Sequence, residues 1–571
     1  MSNRVVRLVP YVLFVGLAVP GLFVGFVLDD WVHRAILSGS FAQLSPWDLF
    51  TFAPGDPARL WPMVSFGPFP WFTLPELKIS FFRPLSTALI HLDVALFGDR
   101  PFPAHLHSLA WGLLLLLAAD RLYRRAIPGL ALVALLLFAV DRSHAMPLAW
   151  LSNRNSVVAT ALVAWGLVGH LAWRQDGKRW GLVLSVAAWA AALGSAEAAL
   201  GALAYVPAYE WLGHDDNRRA RLRALIPAAL VGLAFVIAYR VTGSGAWGGA
   251  TYIDPVREPL VFLENAPARL LAMLGAWTSG LPADLWLAQP KARGALIAAG
   301  VVAVPLWPWL WRWLELDREP EARAVKWLTV GGFAGVLPFL ATFPTDRLLI
   351  GPSLGLAALV AFVLRTAWRR RKCLVVGWLG AVTGFGGVGA WVLVPTMLGE
   401  WRDAVIGAID RPVGVDSLGG KRIVVIDSSD LAVGLYPVLA MAARGMPLPQ
   451  SWNLISPAMA AHRVTRLDEQ RFVVDIIDGH VLGTVFEQNA RADRFPLAVG
   501  DAVKLEYLTV TVRALHEGKP SRMEVELRDP PAAYTFLRWD GEHLATVELP
   551  RPGAVLELPR ARATVERLFG Q

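Results

Sequence analysis

Cysteine and charge are the scarcest features of this chain. Only one of its 571 residues is a cysteine, Cys373, so no intrachain disulfide can form and a cysteine-ligated metal or redox centre is excluded. Charged residues make up 18% of the chain and hydrophobic residues 55%. A soluble protein of this length carries more charge, so the composition predicts an integral membrane protein.

Several functional motifs are missing as well. No glycine-rich phosphate loop of the Walker type is present, which argues against transport driven by ATP. The histidines have no metal-ligand spacing, which argues against a zinc site. No cleavage site follows the apolar N-terminal run, so we interpret that run as an uncleaved signal-anchor helix. The net charge of +8 comes from short arginine clusters between apolar runs, a pattern of membrane topology rather than of nucleic-acid binding.

What the chain has instead is a series of apolar runs near the length of about 20 residues that a membrane helix needs. The eleven runs cover 8–27, 103–121, 126–143, 155–173, 180–196, 198–213, 224–242, 294–312, 327–342, 348–366 and 374–394. With the N-terminus in the cytoplasm, the inner segments hold 21 Lys and Arg, and the outer segments hold 13 over about three times the length. This distribution follows the positive-inside rule.

The sequence therefore predicts a mainly α polytopic membrane protein with about 11 transmembrane helices. Its transmembrane domain covers 1–399, with a first outer loop at 28–102 and a second long outer segment at 244–293. The apolar stretch 81–98 is interpreted as a helix on the outer face, because a full span there would move the arginine clusters outside. From residue 400 the chain alternates short strands and turns, which predicts a soluble, outward-facing α+β domain over 400–571.

The first outer loop opens on two adjacent acids in "GLFVGFVLDDWVHRAIL" (21–37). Asp29 and Asp30 stand where the apolar run ends, and Trp31 and His33 follow them. The other outward turns contribute further acids, histidines and arginines from distant parts of the chain. Ionisable groups close to the hydrocarbon are costly, which makes them functional candidates, although any one of them could be a solvated loop charge.

Four outward segments resemble a known family, in the same order along the chain. They are "FRPLSTALIHLDVALFGDRPFPAHLHSL", "SHAMPLAWLSNRNSVVATAL", "GSAEAAL" and "DRLLIGPSLGLAAL". They are similar to segments of the C-type membrane glycosyltransferases (the GT-C superfamily), and most similar to the protein O-mannosyltransferase-like branch that often carries TPR repeats. The matching residues are Phe82, Arg83, Pro84, Leu85, Phe97, Gly98, Pro101, Phe102, His105, His144, Ala149, Trp150, Leu151, Arg154, Ser195, Glu197, Arg347, Pro352, Ser353 and Gly355. No TPR repeat is found here, and the α+β domain stands in its place.

The resemblance implies an inverting transferase that moves a sugar, such as a hexose or mannose, from a polyprenyl-phosphate donor to an acceptor on the non-cytoplasmic face. An acid of the first outer loop, Asp29 or Asp30, would be the general base that takes the proton of the acceptor hydroxyl. The leaving phosphate needs charge neutralisation. The candidates for this role are Arg83, Arg154 and Arg347, followed by His91, His105 and His144. The candidate substrate contacts are Glu197, Trp31 and His33.

The implied setting is a bacterial inner membrane, with the N-terminus in the cytoplasm and the C-terminal domain in the periplasm. The expected partners are the lipid-linked donor, membrane lipid and an acceptor, which is an unidentified protein, lipid or glycan. Nucleic acid is not expected to bind. The sequence identifies no definite cofactor and leaves a divalent cation such as Mg²⁺ or Mn²⁺ open; if the enzyme uses one, Asp29 and Asp30 are its expected ligands. Two alternatives stay open. One is an inactive GT-C-like scaffold that binds a glycan or partner protein, and the other is a transporter of a lipid-linked sugar, against which the lack of two similar halves argues.

Overall fold

The computed structural model describes residues 3–288, 291–319, 321–414 and 416–560. The last residues of the predicted C-terminal domain, 561–571, lie outside the described residues. The chain forms two compact units. The membrane unit comprises 1–25, 81–244 and 254–396, and the α+β unit comprises 26–80, 245–253 and 397–571.

Helices account for most of the described chain. In chain order they are α1 Asn3–Ala18, α2 Asp29–Leu37, α3 Pro57–Phe66, α4 Pro84–Phe97, α5 Pro101–Ala126, α6 Ala131–Val140, α7 Ala145–Ala149, α8 Arg154–Asp176, α9 Arg179–Leu193, α10 Ala198–Ala202, α11 Tyr205–Ala208, α12 Arg218–Val241, α13 Pro259–Ser279, α14 Leu285–Ala288, α15 Ala292–Trp313, α16 Ala322–Gly335, α17 Ser353–Arg369, α18 Cys373–Gly380, α19 Gly386–Asp410, α20 Leu431–Ala443 and α21 Val485–Gln488.

Seven helical segments of the described chain are long and apolar enough to cross a membrane. They are Val5–Phe23, Pro101–Ala126, Leu151–Asp176, Arg218–Val241, Ala292–Trp313, Ala322–Ala341 and Cys373–Asp410. An eighth span would be the bent pair Ala131–Val140 and Arg142–Ala149, which turns by 48°. The prediction of a mainly α polytopic membrane protein is therefore confirmed.

The three remaining predicted runs are helical but shorter. The run 180–196 forms α9 with 15 residues, and 348–366 forms α17 with 17 residues. The run 198–213 is broken into short pieces around Pro207, which supplies no backbone N–H to a continuing helix. Helix α4 has 14 residues and is about 21 Å long, shorter than the hydrocarbon core of about 30 Å. Its location on the outer face stays a prediction.

Small residues let helices of the membrane unit approach closely. A Cβ at Gly169 would lie 2.7 Å from the carbonyl oxygen of Gly181, so α8 and α9 can touch only because both positions are glycine. The single hydroxyl hydrogen of Ser185 is shared between the carbonyls of Gly166 and Gly181, whose oxygens lie 2.9 and 2.8 Å from its Oγ. Small residues and a hydroxyl at a helix crossing are typical of membrane helix pairs.

The α+β unit contains the strands β1 to β13. They are Thr51–Pro54, Lys78–Ser80, Gly245–Trp247, Arg422–Asp427, Ser451–Ser456, Ala461–Arg466, Arg471–Ile477, Ala502–Lys504, Leu508–His516, Lys519–Leu527, Tyr534–Trp539, Leu544–Thr546 and Val555–Leu558. They form an antiparallel sheet β1-β2-β3, an antiparallel six-stranded sheet β13-β6-β7-β10-β9-β8, and a four-stranded sheet β12-β11-β4-β5. The predicted C-terminal region of mixed helix and strand is confirmed.

In the four-stranded sheet, β11, β4 and β5 are parallel, and α20 connects β4 to β5. Helix α2 packs against α20, and this places the start of the first outer loop on the α+β unit. Strands β1 and β2 come from the same loop, and β3 comes from the second outer segment. Both loops thus contribute structure to this unit, while the predicted boundary at 399 and 400 stays a prediction.

Candidate functional site

The two adjacent acids form the first turn of α2, which we call the acidic turn (Asp29 and Asp30). Leu28, the residue before it, has φ +45°, an uncommon backbone conformation for leucine that turns the chain into the helix. The Val27 N–H donates to Oδ2 of Asp30 at 3.0 Å. Carboxylates are favoured here because the N-terminal end of a helix carries a partial positive charge. The catalytic role predicted for the two acids stays a prediction.

The two carboxylates differ in exposure. Asp30 is buried, with 4% of its surface exposed, whereas Asp29 is half-buried. Tyr436 of α20 donates its hydroxyl to Oδ1 of Asp29 at 3.0 Å. Burial and the nearby Asp29 carboxylate raise the pKa of Tyr436 well above its ordinary value, so this hydroxyl stays protonated and donates. Of the two predicted bases, Asp29 is therefore the more accessible.

Trp31 and His33 point into the α+β unit. Trp31 is 5% exposed and packs against Phe26, with 5.6 Å between the ring centroids. His33 is 2% exposed and lies beside Phe50 and Phe52, at 4.8 and 5.7 Å between centroids. Both side chains belong to the packing of α2, and their predicted contact with substrate stays a prediction.

Two residues predicted from separate motifs meet in the membrane unit. Nε and Nη2 of Arg83 lie 2.9 and 2.8 Å from Oε2 of Glu197. The Arg83 guanidinium also lies over the ring of Phe81, 4.5 Å from its centroid. The pair links the start of α4 to the turn before α10. Arg83 therefore already has a carboxylate partner, which lowers its capacity for a phosphate.

Arg154 belongs to a cluster of charges that the sequence did not reveal. It forms an ion pair with Asp93 of α4, and its Nη1 lies 2.8 Å from Nδ1 of His107. Trp111 donates to Nε2 of His107 at 3.0 Å, and Nδ1 of His107 lies 2.6 Å from Oδ1 of Asp93. The signal for this cluster in the sequence was Asp93 itself, the one acid of the mostly apolar helix α4. Arg154 is therefore compensated as well.

Arg347 differs from the other two arginines. No carboxylate and no hydrogen-bond acceptor is paired with it among the residues that the structure describes. Its guanidinium lies over the rings of Trp150 and Phe343, 5.5 and 5.9 Å from their centroids. Cation–π contacts hold a guanidinium in place while leaving its N–H donors available to a ligand.

The three predicted histidines are placed differently. His105 is buried, and its Nε2 lies 3.0 Å from the carbonyl oxygen of Gly25. His144 is buried with its Nδ1 3.1 Å from the carbonyl oxygen of Asp141. His91 is half-buried on α4. The phosphate contacts predicted for them stay predictions.

Within the described ranges, no three His, Cys, Asp or Glu side chains gather into a group that could hold a metal ion. The acidic turn offers two carboxylates, so a Mg²⁺ or Mn²⁺ ion there would take its remaining ligands from water and substrate. Such an arrangement is the usual one for Mg²⁺. The two carboxylates of the acidic turn thus fit a metal ion that arrives with the substrate better than an ion that the protein holds permanently.

Comparisons with known proteins gave only remote structural similarity. No protein-family model matches the sequence, and no curated protein matches it. The chain is similar to ArnT from Cupriavidus metallidurans bound to undecaprenyl phosphate, at 15% identity and TM-score 0.39 over 77% of this chain and 85% of that one. It is similar to the apo state of the same protein at 16% identity and TM-score 0.39, over 77% and 84%. It is also similar to the arabinofuranosyltransferase AftD from Mycobacteria, at 16% identity and TM-score 0.32, over 90% of this chain but 41% of that one.

Proposed function

We propose that this chain is an integral-membrane glycosyltransferase of the GT-C superfamily, with a polyprenyl-phosphate-linked sugar as donor. The observation that carries the proposal is Arg347, a cation without a carboxylate partner in the described chain, in a turn between membrane helices. An uncompensated arginine near the hydrocarbon is costly unless it serves a ligand. The ordered sequence motifs at Arg83, Glu197 and Arg347 support the same family.

We assign the binding of the donor phosphate to Arg347. As the bond between the sugar and the phosphate breaks, negative charge builds on the phosphate oxygens, and a guanidinium with free donors stabilises it. Arg83 and Arg154 are paired with Glu197 and Asp93 and are assigned the role of holding α4 in place. The histidines are assigned no essential role in this step.

We assign the base to Asp29. It is the more exposed of the two acids, and the Tyr436 hydroxyl fixes the position of its Oδ1. The acceptor hydroxyl gives its proton to the Asp29 carboxylate while its oxygen forms a bond to the anomeric carbon. The bond from that carbon to the phosphate oxygen breaks, and its electron pair leaves with the phosphate. A single displacement of this kind inverts the anomeric configuration.

The test is the turnover of defined donors by the full-length protein in lipid nanodiscs. A panel of polyprenyl-phosphate hexoses and pentoses is supplied with a membrane-lipid fraction as acceptor, and release of polyprenyl phosphate is measured together with donor binding. The proposal predicts that one donor binds and is consumed. If no member of the panel binds, the proposal is wrong. If a donor binds but no polyprenyl phosphate is released in the presence of the acceptor fraction, the inactive scaffold is favoured.

A further inference from the structure

Helix α12 presents one long exposed face. Large apolar side chains recur on it at intervals of three and four residues, so they lie on one side of the helix. They are Leu222, Ile226, Leu230, Leu233, Ile237 and Val241, and between 46% and 81% of each is exposed. Arg219 and Arg223 continue the same interval towards the N-terminal end of the helix. We call these eight residues the α12 face.

The opposite side of α12 is the side that packs against the protein. Its buried residues are Ala224, Ala228, Gly232 and Phe235, three of them small. A Cβ at Gly232 would lie 3.5 Å from the side chain of Leu200 in α10. Small residues of this kind are typical of the crossing between two membrane helices. The α12 face has none, so its surface is suited to lipid rather than to a further helix.

The two arginines of the α12 face have no acid to neutralise them. Asp215 and Asp216 lie just before the helix, but both bind arginines of other segments. Nη2 of Arg323 lies 2.6 Å from Oδ1 of Asp215, and Nη2 of Arg174 lies 3.0 Å from Oδ2 of Asp216. Throughout the described part of the chain, no carboxylate is paired with either arginine of the α12 face, and both side chains are exposed.

Other arginines at the ends of membrane helices are neutralised within the protein. Examples are the pairs Arg124 with Asp120, Arg125 with Asp176, Arg365 with Glu321 and Arg369 with Glu319. The α12 face differs from these sites because its two positive charges stay available to a ligand that arrives through the membrane.

The start of α12 has the features of a membrane–water interface. Trp211 is 45% exposed, and its carbonyl oxygen accepts a hydrogen bond from Nη1 of Arg221 at 3.4 Å. Tryptophan is enriched at the level of the lipid headgroups. From Arg223 to Ile237 the helix rises by about 21 Å, which is more than half of a hydrocarbon core of about 30 Å. The apolar part of the α12 face can therefore line an acyl chain of one leaflet along its whole length.

We propose that the α12 face binds an anionic glycerophospholipid of the membrane. The lipid phosphate accepts charge-assisted hydrogen bonds from Arg219 and Arg223, and an acyl chain lies along Ile226, Leu230 and Leu233. The charge selects the headgroup, while the apolar side chains hold the lipid without selecting its chain. This proposal does not depend on the proposed transferase activity, because it concerns binding alone.

The experiment uses the full chain in phosphatidylcholine nanodiscs that contain a small fraction of phosphatidylglycerol with a photoactivatable diazirine on its acyl chain. Labelled peptides are mapped by mass spectrometry, beside a phosphatidylcholine probe with the same acyl chain. The phosphatidylglycerol probe should label residues 222–237 at least fivefold more strongly than the phosphatidylcholine probe. Equal labelling by the two probes overturns the proposal.

Competitors identify the kind of anion that the site takes. Unlabelled phosphatidylglycerol should reduce the labelling at least fivefold, whereas inorganic phosphate should leave it unchanged, because it lacks the acyl chain. Competition by inorganic phosphate would indicate a site for a free anion and would overturn the proposal. Undecaprenyl phosphate should compete less well than phosphatidylglycerol; equal or better competition would make this a site for a polyprenyl carrier, and the proposal would be wrong.

Three double variants test the role of charge. Arg219→Ala/Arg223→Ala should lower labelling by the phosphatidylglycerol probe at least fivefold, and Arg219→Lys/Arg223→Lys should keep at least half of it. Arg318→Ala/Arg369→Ala, which removes two exposed but paired arginines, is the matched control and should change nothing. Labelling by the phosphatidylcholine probe should be the same in all variants, which shows that the fold is intact. An equal effect of the control and the alanine variant would refute the assignment, as would a lysine variant as weak as the alanine variant.

Discussion

At the scale of single residues, four arginines of the membrane unit have different partners. Arg83, Arg142 and Arg154 are each paired with a carboxylate, and the described chain offers none to Arg347. An ion pair that is already formed has to be broken before either partner can bind a ligand, which costs several kcal/mol when the pair is buried. The unpaired arginine is therefore the one expected to govern donor binding.

Replacement of Arg347 tests this difference. Arg347→Ala should raise KM for the donor by about 10- to 100-fold, since hydrogen bonds to charged groups contribute about 1.5–3 kcal/mol. Arg347→Lys should recover only part of the loss, because lysine lacks the planar fork that suits a phosphate. Arg318→Ala, at an exposed arginine in another loop, is the matched control and should keep the KM of the unaltered protein. A KM for Arg347→Ala equal to that of the control would refute the assignment.

A second residue-scale prediction concerns Asp427, which ends β4 and is 1% exposed. Burial raises the pKa of Asp427 to about 6, and Arg538, 3.6 Å away, opposes the rise. A carboxyl group whose pKa is raised in the folded state binds its proton more tightly there. Its contribution to stability is therefore greatest below its unfolded pKa of 3.8 and is lost as the pH rises through about 6.

Asp427→Asn should remove this dependence. Relative to the unaltered protein, the variant should gain about 2 kcal/mol in the free energy of unfolding from pH 4.5 to pH 7.5, because the rest of the linkage lies below pH 4.5. The nearby His462, whose pKa burial lowers to about 4, is present in both proteins and contributes equally to both. Unfolding midpoints at the two pH values measure the change. If the stabilities of the two proteins differ by the same amount at pH 4.5 and at pH 7.5, Asp427 does not titrate in this range.

At the scale of elements, the turn after α3 depends on a single glycine. Gly67 has φ +126°, and a Cβ there would lie 1.6 Å from the carbonyl oxygen of Trp452 in β5. Both the backbone conformation and the close approach of β5 therefore require glycine. The turn connects the first outer loop to the parallel sheet of the α+β unit.

Gly67→Ala should destabilise the α+β unit by more than about 3 kcal/mol, because a clash with backbone cannot be relieved by moving a side chain. Gly39→Ala is the control, since Gly39 also has a positive φ, +78°, but nothing lies within 4 Å of its Cβ position. It should cost only about 1–2 kcal/mol. The two midpoints of thermal unfolding give the comparison. Similar shifts for both variants would mean that the approach of β5 is not a constraint.

The elements also show what the sequence could and could not predict. The apolar runs predicted helices correctly, because a membrane helix needs only length and low polarity, properties that a single segment carries. Pro207 interrupts the helix predicted over 198–213, and this interruption was visible only in the structure. The sheet β1-β2-β3 was not predicted, since its short strands come from 51–80 and 245–247, and pairing between distant segments leaves no periodic signal.

For the candidate site, the sequence identified individual residues better than their partners. Arg83 and Glu197 were predicted from different motifs, and the structure joins them. Asp93, which compensates the charge of Arg154, and His107 beside it were missed, because a single acid in a mostly apolar helix resembles an ordinary polar position until its neighbours are known. The difference between Asp29 and Asp30 depends on burial by the α+β unit, which sequence spacing does not show.

At the scale of the whole molecule, the proposed reaction has two separable parts, the binding of the donor phosphate and the removal of the acceptor proton. We propose that Arg347 binds the leaving phosphate and that Asp29 takes the proton of the acceptor. Loss of the cation is expected to raise KM, whereas loss of the base is expected to lower kcat and leave donor binding intact. Kinetic parameters can therefore separate the two assignments.

Asp29 as the general base is tested by the turnover of the best donor in Asp29→Asn, measured beside Asp30→Asn and Glu548→Gln. Glu548 is an exposed acid of the α+β unit and serves as the control. We expect Asp29→Asn to lower kcat by about 100-fold or more, with donor binding unchanged, because general-base catalysis typically contributes a factor of 10² to 10⁴. Asp30→Asn should have the smaller effect and Glu548→Gln none. Equal kcat for Asp29→Asn and Glu548→Gln would contradict the claim that the acidic turn carries the chemistry.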